Sequence, residues 1–152
     1  MTRNSLLILS ILQGVACSAG VKGGEMRGTV PPTLAPCPSS PNCVSSRARD
    51  AAHRVKPLPF DGDPVEAIHR LRKVIDDMPR TRIVSAGDDW LRAEFSSRLF
   101  GFVDDVEAVV DSTRRVIDIR SASRTGYWDL GTNRSRVEAI REAFVQNAPK
   151  DA

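Results

Sequence analysis

The stretch Trp90-Leu91-Arg92-Ala93-Glu94-Phe95-Ser96-Ser97 alternates in character. Leu91, Ala93, Phe95 and Ser97 fall on one face of an extended chain. Trp90, Arg92, Glu94 and Ser96 fall on the other, because successive strand side chains point to opposite sides. Residues 103–110 repeat the pattern, with Asp104, Val106, Ala108 and Val110 against Val103, Asp105, Glu107 and Val109. Asp111-Ser112-Thr113-Arg114 then reads as a hairpin connection to residues 116–121, where Ile117 and Ile119 oppose Asp118 and Arg120. Ile83-Val84-Ser85, ending at Gly87-Asp88, adds a short strand in front. Four strands joined this tightly run antiparallel. One largely polar face predicts a sheet covered on one side only.

Helices flank the strands. Asp63-Pro64-Val65-Glu66 carries an N-cap, a proline at the first helical position and an acid three residues after the cap. Val65, Ile68, Leu71, Ile75 and Met78 then recur at helical spacing, with Arg70, Arg72, Lys73 and Asp76 outside the stripe, and Pro79 ends the helix. A second helix is predicted over 133–147, with Val137, Ile140 and Phe144 on one face and Arg134 four residues before Glu138. The expected fold is α+β. A four-stranded antiparallel sheet carries two helices packed on one face, in the order helix, four strands, helix, as a two-layer sandwich.

Outside this domain the chain changes character. Arg3, the apolar run through Leu6, Leu7, Ile8, Leu9, Ile11 and Leu12, and Gly14-Val15-Ala16 read as a secretory signal peptide over 1–16. The cysteine that follows, Cys17, resembles the lipidation site of bacterial lipoproteins, although Gly14 stands where that motif usually has Leu. Two addresses stay open. One is a lipid-anchored protein on the periplasmic side, usually of the outer membrane. The other is a soluble periplasmic or secreted protein cut by ordinary signal peptidase. Residues 17–36, rich in Gly and Pro, read as lipidation site and tether. Residues 37–60 read as a cysteine loop and extended arm, and 61–148 as the globular domain. Assigning Cys17 to lipid leaves Cys37 and Cys43, which an oxidising compartment would allow to bond.

Composition narrows the function classes. A net charge of +3, from 22 basic and 19 acidic residues, is too balanced for a dedicated nucleic-acid binder. Two histidines and three cysteines leave little for a metal site, and no cofactor fingerprint occurs. No Gly-x-Ser-x-Gly elbow is present. Asp104-Asp105 and Asp88-Asp89 are neighbours on extended chain, so neither pair converges on one substrate atom.

The odd chemistry is gathered between the last strand and the last helix. Arg120, Ser121, Ser123, Arg124, Tyr127, Trp128, Asp129, Asn133, Arg134 and Arg136 lie in one stretch, with Gly126 and Gly131 among them. Together with Pro36-Cys37-Pro38-Ser39-Ser40-Pro41-Asn42-Cys43 and Phe100-Gly101-Phe102-Val103-Asp104-Asp105, this stretch resembles the DUF1499 family of bacterial and plastid domains of unknown function. The resemblance runs from Pro36 to Phe144 and implies a single exported or membrane-associated domain. It implies no activity, cofactor or catalytic residue.

Two readings of the stretch stand side by side. In one, the arginines and the helix N-terminus form a site for a small anionic ligand or an envelope protein, with Tyr127 or Trp128 stacking on a ring. In the other, the arginines pair with Asp104, Asp105 and Asp129, Asp129 braces the turn, and Asn133 caps the helix. The leading function is a non-enzymatic, membrane-anchored binding domain acting through 120–136. The alternative is a hydrolase or transferase on an anionic envelope substrate, using Ser121 or Ser123 and Asp129 beside Arg124. A carrier for an apolar ligand between sheet and helices is the third. Phe100 and Phe102 are expected in the core beside a bulge at Gly101.

Overall fold

The computed structural model describes residues 33–97 and 101–149. The expectations for the signal peptide, Cys17, the tether up to residue 32 and Phe100 lie outside those residues. In chain order the elements are β1 (Cys43–Ser45), β2 (Leu58–Pro59), α1 (Pro64–Asp76), β3 (Thr81–Ala86), β4 (Trp90–Ser96), β5 (Val103–Asp111), β6 (Val116–Ser123) and α2 (Thr132–Gln146). Among the described residues this is an α+β fold with an open antiparallel sheet of six strands rather than four. The two extra strands come from the arm. β1 pairs with the end of β6, Cys43 opposite Ala122, and β2 pairs with its beginning, Leu58 opposite Ile117. The main path runs β1-β6-β5-β4-β3.

The register shows why the alternation matters. Leu91, Ala108 and Ile119 form one cross-strand row, and Ala93, Val106 and Ser121 the next. The apolar members of these rows join Ile68, Leu71 and Ile75 of α1 and Val137, Ile140 and Phe144 of α2 in a single buried cluster. Fully burying a side chain of this size contributes about 1.5–3 kcal/mol. The cluster also takes in Val44, Val55, Leu58 and Phe60, so the arm belongs to the core.

α1 starts as its sequence predicts. The Asp63 carboxylate accepts from Val65 N at 2.8 Å and Glu66 N at 3.1 Å, satisfying two of the orphan donors of the first turn. The buried face is Ala67, Ile68, Leu71, Val74 and Ile75, whereas Val65 is exposed. Arg70 is not on the outer side. Its guanidinium stacks 3.9 Å above the Phe144 ring, and burial lowers its pKa against the opposing effect of Asp61. Cys37 and Cys43 form a disulfide that ties the arm beside β1.

Phe102 does not enter the core. It is 53% exposed, at the start of β5 beside Gly101, which adopts φ +65°. Glu138 takes Arg141 as its ion-pair partner at 2.9 Å, not Arg134.

Candidate functional site

The loop between β6 and α2 turns three times through left-handed backbone, at Gly126 (φ 87°), Leu130 (φ 53°) and Gly131 (φ 79°). Asp129 holds the last turn. One carboxylate oxygen accepts from Gly131 N at 3.0 Å and the other from Asn133 N at 2.8 Å. Burial alone would raise the Asp129 pKa, but these backbone donors outweigh it and hold the carboxyl below the usual aspartate value. Asp129 thus satisfies the helix N-terminus, and Gly131 occupies the N-cap position with no side chain to offer. Asn133 is not the cap. It lies inside the first turn, fully buried.

Asn133 is instead the hub of a buried polar network. Its Nδ2 group faces the Asn42 carbonyl at 2.9 Å, Ser123 Oγ at 3.0 Å and Asp129 Oδ2 at 2.8 Å. Its Oδ1 accepts from Ser121 Oγ at 2.6 Å and from Arg136 Nη1 at 2.6 Å. Arg136 continues the network. It donates to Ser121 Oγ at 3.0 Å and to Asp104, and its guanidinium lies 5.0 Å from the Phe95 ring centroid. Both members of the Arg136–Asp104 pair are nearly dry, with side chains 11% and 6% exposed. Such a pair holds together because each charge keeps its hydrogen bonds.

Asn42, which the sequence offers only as one residue of the 36–43 stretch, joins the arm to this network. Its carbonyl accepts from Ser123 N at 3.0 Å, and its side chain donates to the Gly126 carbonyl. It precedes the disulfide cysteine Cys43, so the covalent tie, the sheet edge and the loop meet within two residues.

The neighbouring aspartate points the other way, as strand geometry requires. Asp105 receives Arg124 in a two-pronged contact, at 2.9 Å from Nε and 2.7 Å from Nη2, and Arg124 also reaches Glu94 at 2.6 Å. The hydrogen bonds that Arg124 donates to the Asp105 and Glu94 carboxylates raise its pKa. Arg120 lies on this same face and contacts Glu107 at 3.2 Å. Arg134 leaves the loop altogether and donates to the carbonyls of Arg54 at 2.8 Å and Ala52 at 2.6 Å.

The ten residues of the stretch therefore sort into separate places. Ser121, Ser123, Asp129, Asn133 and Arg136 meet on the helix side. Arg120 and Arg124 lie across the sheet from them, and Arg134 binds the arm. Ser121 is fully buried with its hydroxyl engaged, and Arg124 is on the opposite face, so Ser121, Asp129 and Arg124 do not converge on a common point. Tyr127 and Trp128 project into solvent, 62% and 70% exposed, with ring centroids 6.3 Å apart. Leu130, between the bracing Asp129 and Gly131, is 91% exposed. Leu130 also borders a cleft of about 510 Å³ with Met78, Pro79, Phe95 and Arg136. In the sequence Leu130 stands out only as the middle of Asp129-Leu130-Gly131, next to a glycine that permits a turn.

Comparison with known proteins bears on the whole of this region. A protein-family model described as "Protein of unknown function (DUF1499)" matches residues 33–144. No curated protein matches the chain. The match spans the arm, the sheet, the β6–α2 loop and α2 as far as Phe144. The chain belongs to the DUF1499 family.

Proposed function

We propose that this chain is a non-enzymatic binding domain that docks a protein partner through the tip of the loop at Tyr127, Trp128 and Leu130. Leu130 carries the reading. A non-glycine residue in left-handed backbone costs about 1–2 kcal/mol. Leaving a leucine in water forgoes the further gain of burying it. Two unfavourable features at one residue, held in place by Asp129 and Asn133, point to selection for something other than stability.

Aromatic side chains anchor protein interfaces well, because they bring large area and few rotamers. The polar network beneath the tip keeps the loop ordered, so docking loses little conformational entropy. The arginines serve this reading as frame. Arg136, Arg124 and Arg134 each hold a partner within the fold, which favours a protein partner over a small anionic ligand at the loop itself.

The reading includes export. We infer that residues 1–16 are removed and that Cys17 carries lipid, holding the domain on the periplasmic side of a membrane. Support comes from the motif at Gly14-Val15-Ala16-Cys17 and from the Cys37–Cys43 bond, which suits an oxidising compartment. Mass spectrometry of the mature N-terminal peptide checks this. A diacylated Cys17 is expected, and an intact Met1 would rule out removal of residues 1–16 and the lipid-anchored N-terminus.

The docking reading is tested by placing a photoreactive amino acid at Trp128 in the producing cell, with the same probe at Lys73 on the exposed side of α1 as control. One recurrent protein adduct is expected at position 128 and none of the same mass at 73. Purified, that protein should bind the wild-type domain and lose affinity for Leu130→Asp. Adducts to lipid alone, or equal affinity for both forms, would count against a protein partner.

A further inference from the structure

Across the sheet from the buried network, the outward side chains form two charged rows. Arg82, Glu94 and Asp105 lie on neighbouring strands, and Arg124 reaches in from the end of β6. The next row is Arg92, Glu107 and Arg120, each opposite its neighbour in the register. The first row balances, because two guanidiniums meet two carboxylates. The second does not. Glu107 alone faces both Arg92 and Arg120, so this patch holds one positive charge in excess.

The excess falls on Arg120. Glu107 gives its Oε1 to Arg92, which reaches it through both Nε and Nη2. Among the described residues Arg120 is left with one 3.2 Å contact, from Nη1 to Oε2. Its side chain is only 14% exposed, and its Nε is buried with no hydrogen-bond partner among the described residues. A guanidinium presents five donors in a planar fork. Burying one of those donors, Nε, without a partner is costly, and an oxygen anion on the remaining edge of the fork is the species that offsets it. Space for one exists, because Arg92, Glu107, Arg120 and Arg124 border a recess of about 360 Å³ together with Ala35 and Val84.

We infer that this recess binds a small organic monocarboxylate, with its oxygens on Arg120 and Arg92 and its apolar end against Val84 and Ala35. A single negative charge neutralises the patch, whereas a phosphate dianion would overshoot it beside Glu107 and Asp105. The site shares no residue with the docking tip, so each reading stands or falls separately.

The experiment titrates the full mature chain with butyrate, and separately with inorganic phosphate, following the arginine Nε–H signals by heteronuclear NMR. Butyrate should shift the Arg120 Nε–H signal saturably. Arg120→Gln should weaken binding about tenfold or more, the usual consequence of losing a charged hydrogen bond. Arg92→Gln should weaken it too, and it decides the matter if Arg120→Gln fails to fold. Trp128→Ala should bind butyrate like the wild type. No saturable shift with butyrate, unchanged affinity in Arg92→Gln, or saturation by phosphate in place of butyrate would each overturn the inference.

Discussion

Asn133 and Leu130 stand three residues apart at one helix start, and they have opposite fates. Asn133 is fully buried and all its side-chain polar atoms are engaged. Leu130 is 91% exposed in a strained backbone conformation. The usual preference is inverted, with the amide inside and the leucine outside. On the docking reading proposed above, the inversion gives the loop two jobs. Its polar residues are structural, and its apolar residues are the ones left available.

The comparison predicts large stability effects on the inner side and small ones at the tip. Arg136→Ala leaves Asp104 buried and unpaired, so a loss of about 3–5 kcal/mol is expected in urea denaturation. A loss under about 1 kcal/mol would show that the buried pair contributes little. Next comes the double substitution Cys37→Ser and Cys43→Ser. A short closed loop is worth about 2 kcal/mol on chain-entropy grounds. Because Asn42 adjoins Cys43, amide exchange at Gly126 and Asn133 should also speed up. Unchanged exchange there would separate the disulfide from the loop.

Asp129→Ala removes the helix-capping carboxylate and should cost about 1 kcal/mol. The same group sets a pH signature. Its folded pKa lies below the ordinary 3.8, so its contribution is present above that value and fades as pH falls through the lower folded pKa. Acid unfolding of Asp129→Ala should therefore be shallower than that of the wild type below about pH 4. Identical acid profiles would remove Asp129 from the frame. Trp128→Ala should change stability by no more than about 0.5 kcal/mol while weakening partner docking.

Much of the fold is legible in the residues. The period-two patterns of β4, β5 and β6 set the register, and Asp63-Pro64 sets the start of α1. β1 and β2 are not legible, because strands of three and two residues among prolines carry no period. They exist because β6 offers them a pairing edge, which is a tertiary fact. At the site, charge complementarity between 104–105 and the arginines is readable, and strand alternation explains why Asp104 takes Arg136 while Asp105 takes Arg124. Asn133 looks like a cap in the sequence but is not one, because Asp129, further upstream, reaches the helix start through the left-handed turn at 130–131. Nothing in the sequence shows that Leu130 is exposed, since exposure there follows from that same turn.

The account turns on Leu130 being kept for docking rather than for the fold, and Leu130→Gly tests it directly. Glycine adopts the left-handed backbone without strain, although it also frees the unfolded chain. The account predicts an unchanged or raised melting midpoint together with loss of partner docking. A lowered midpoint, or docking that survives the substitution, would contradict it.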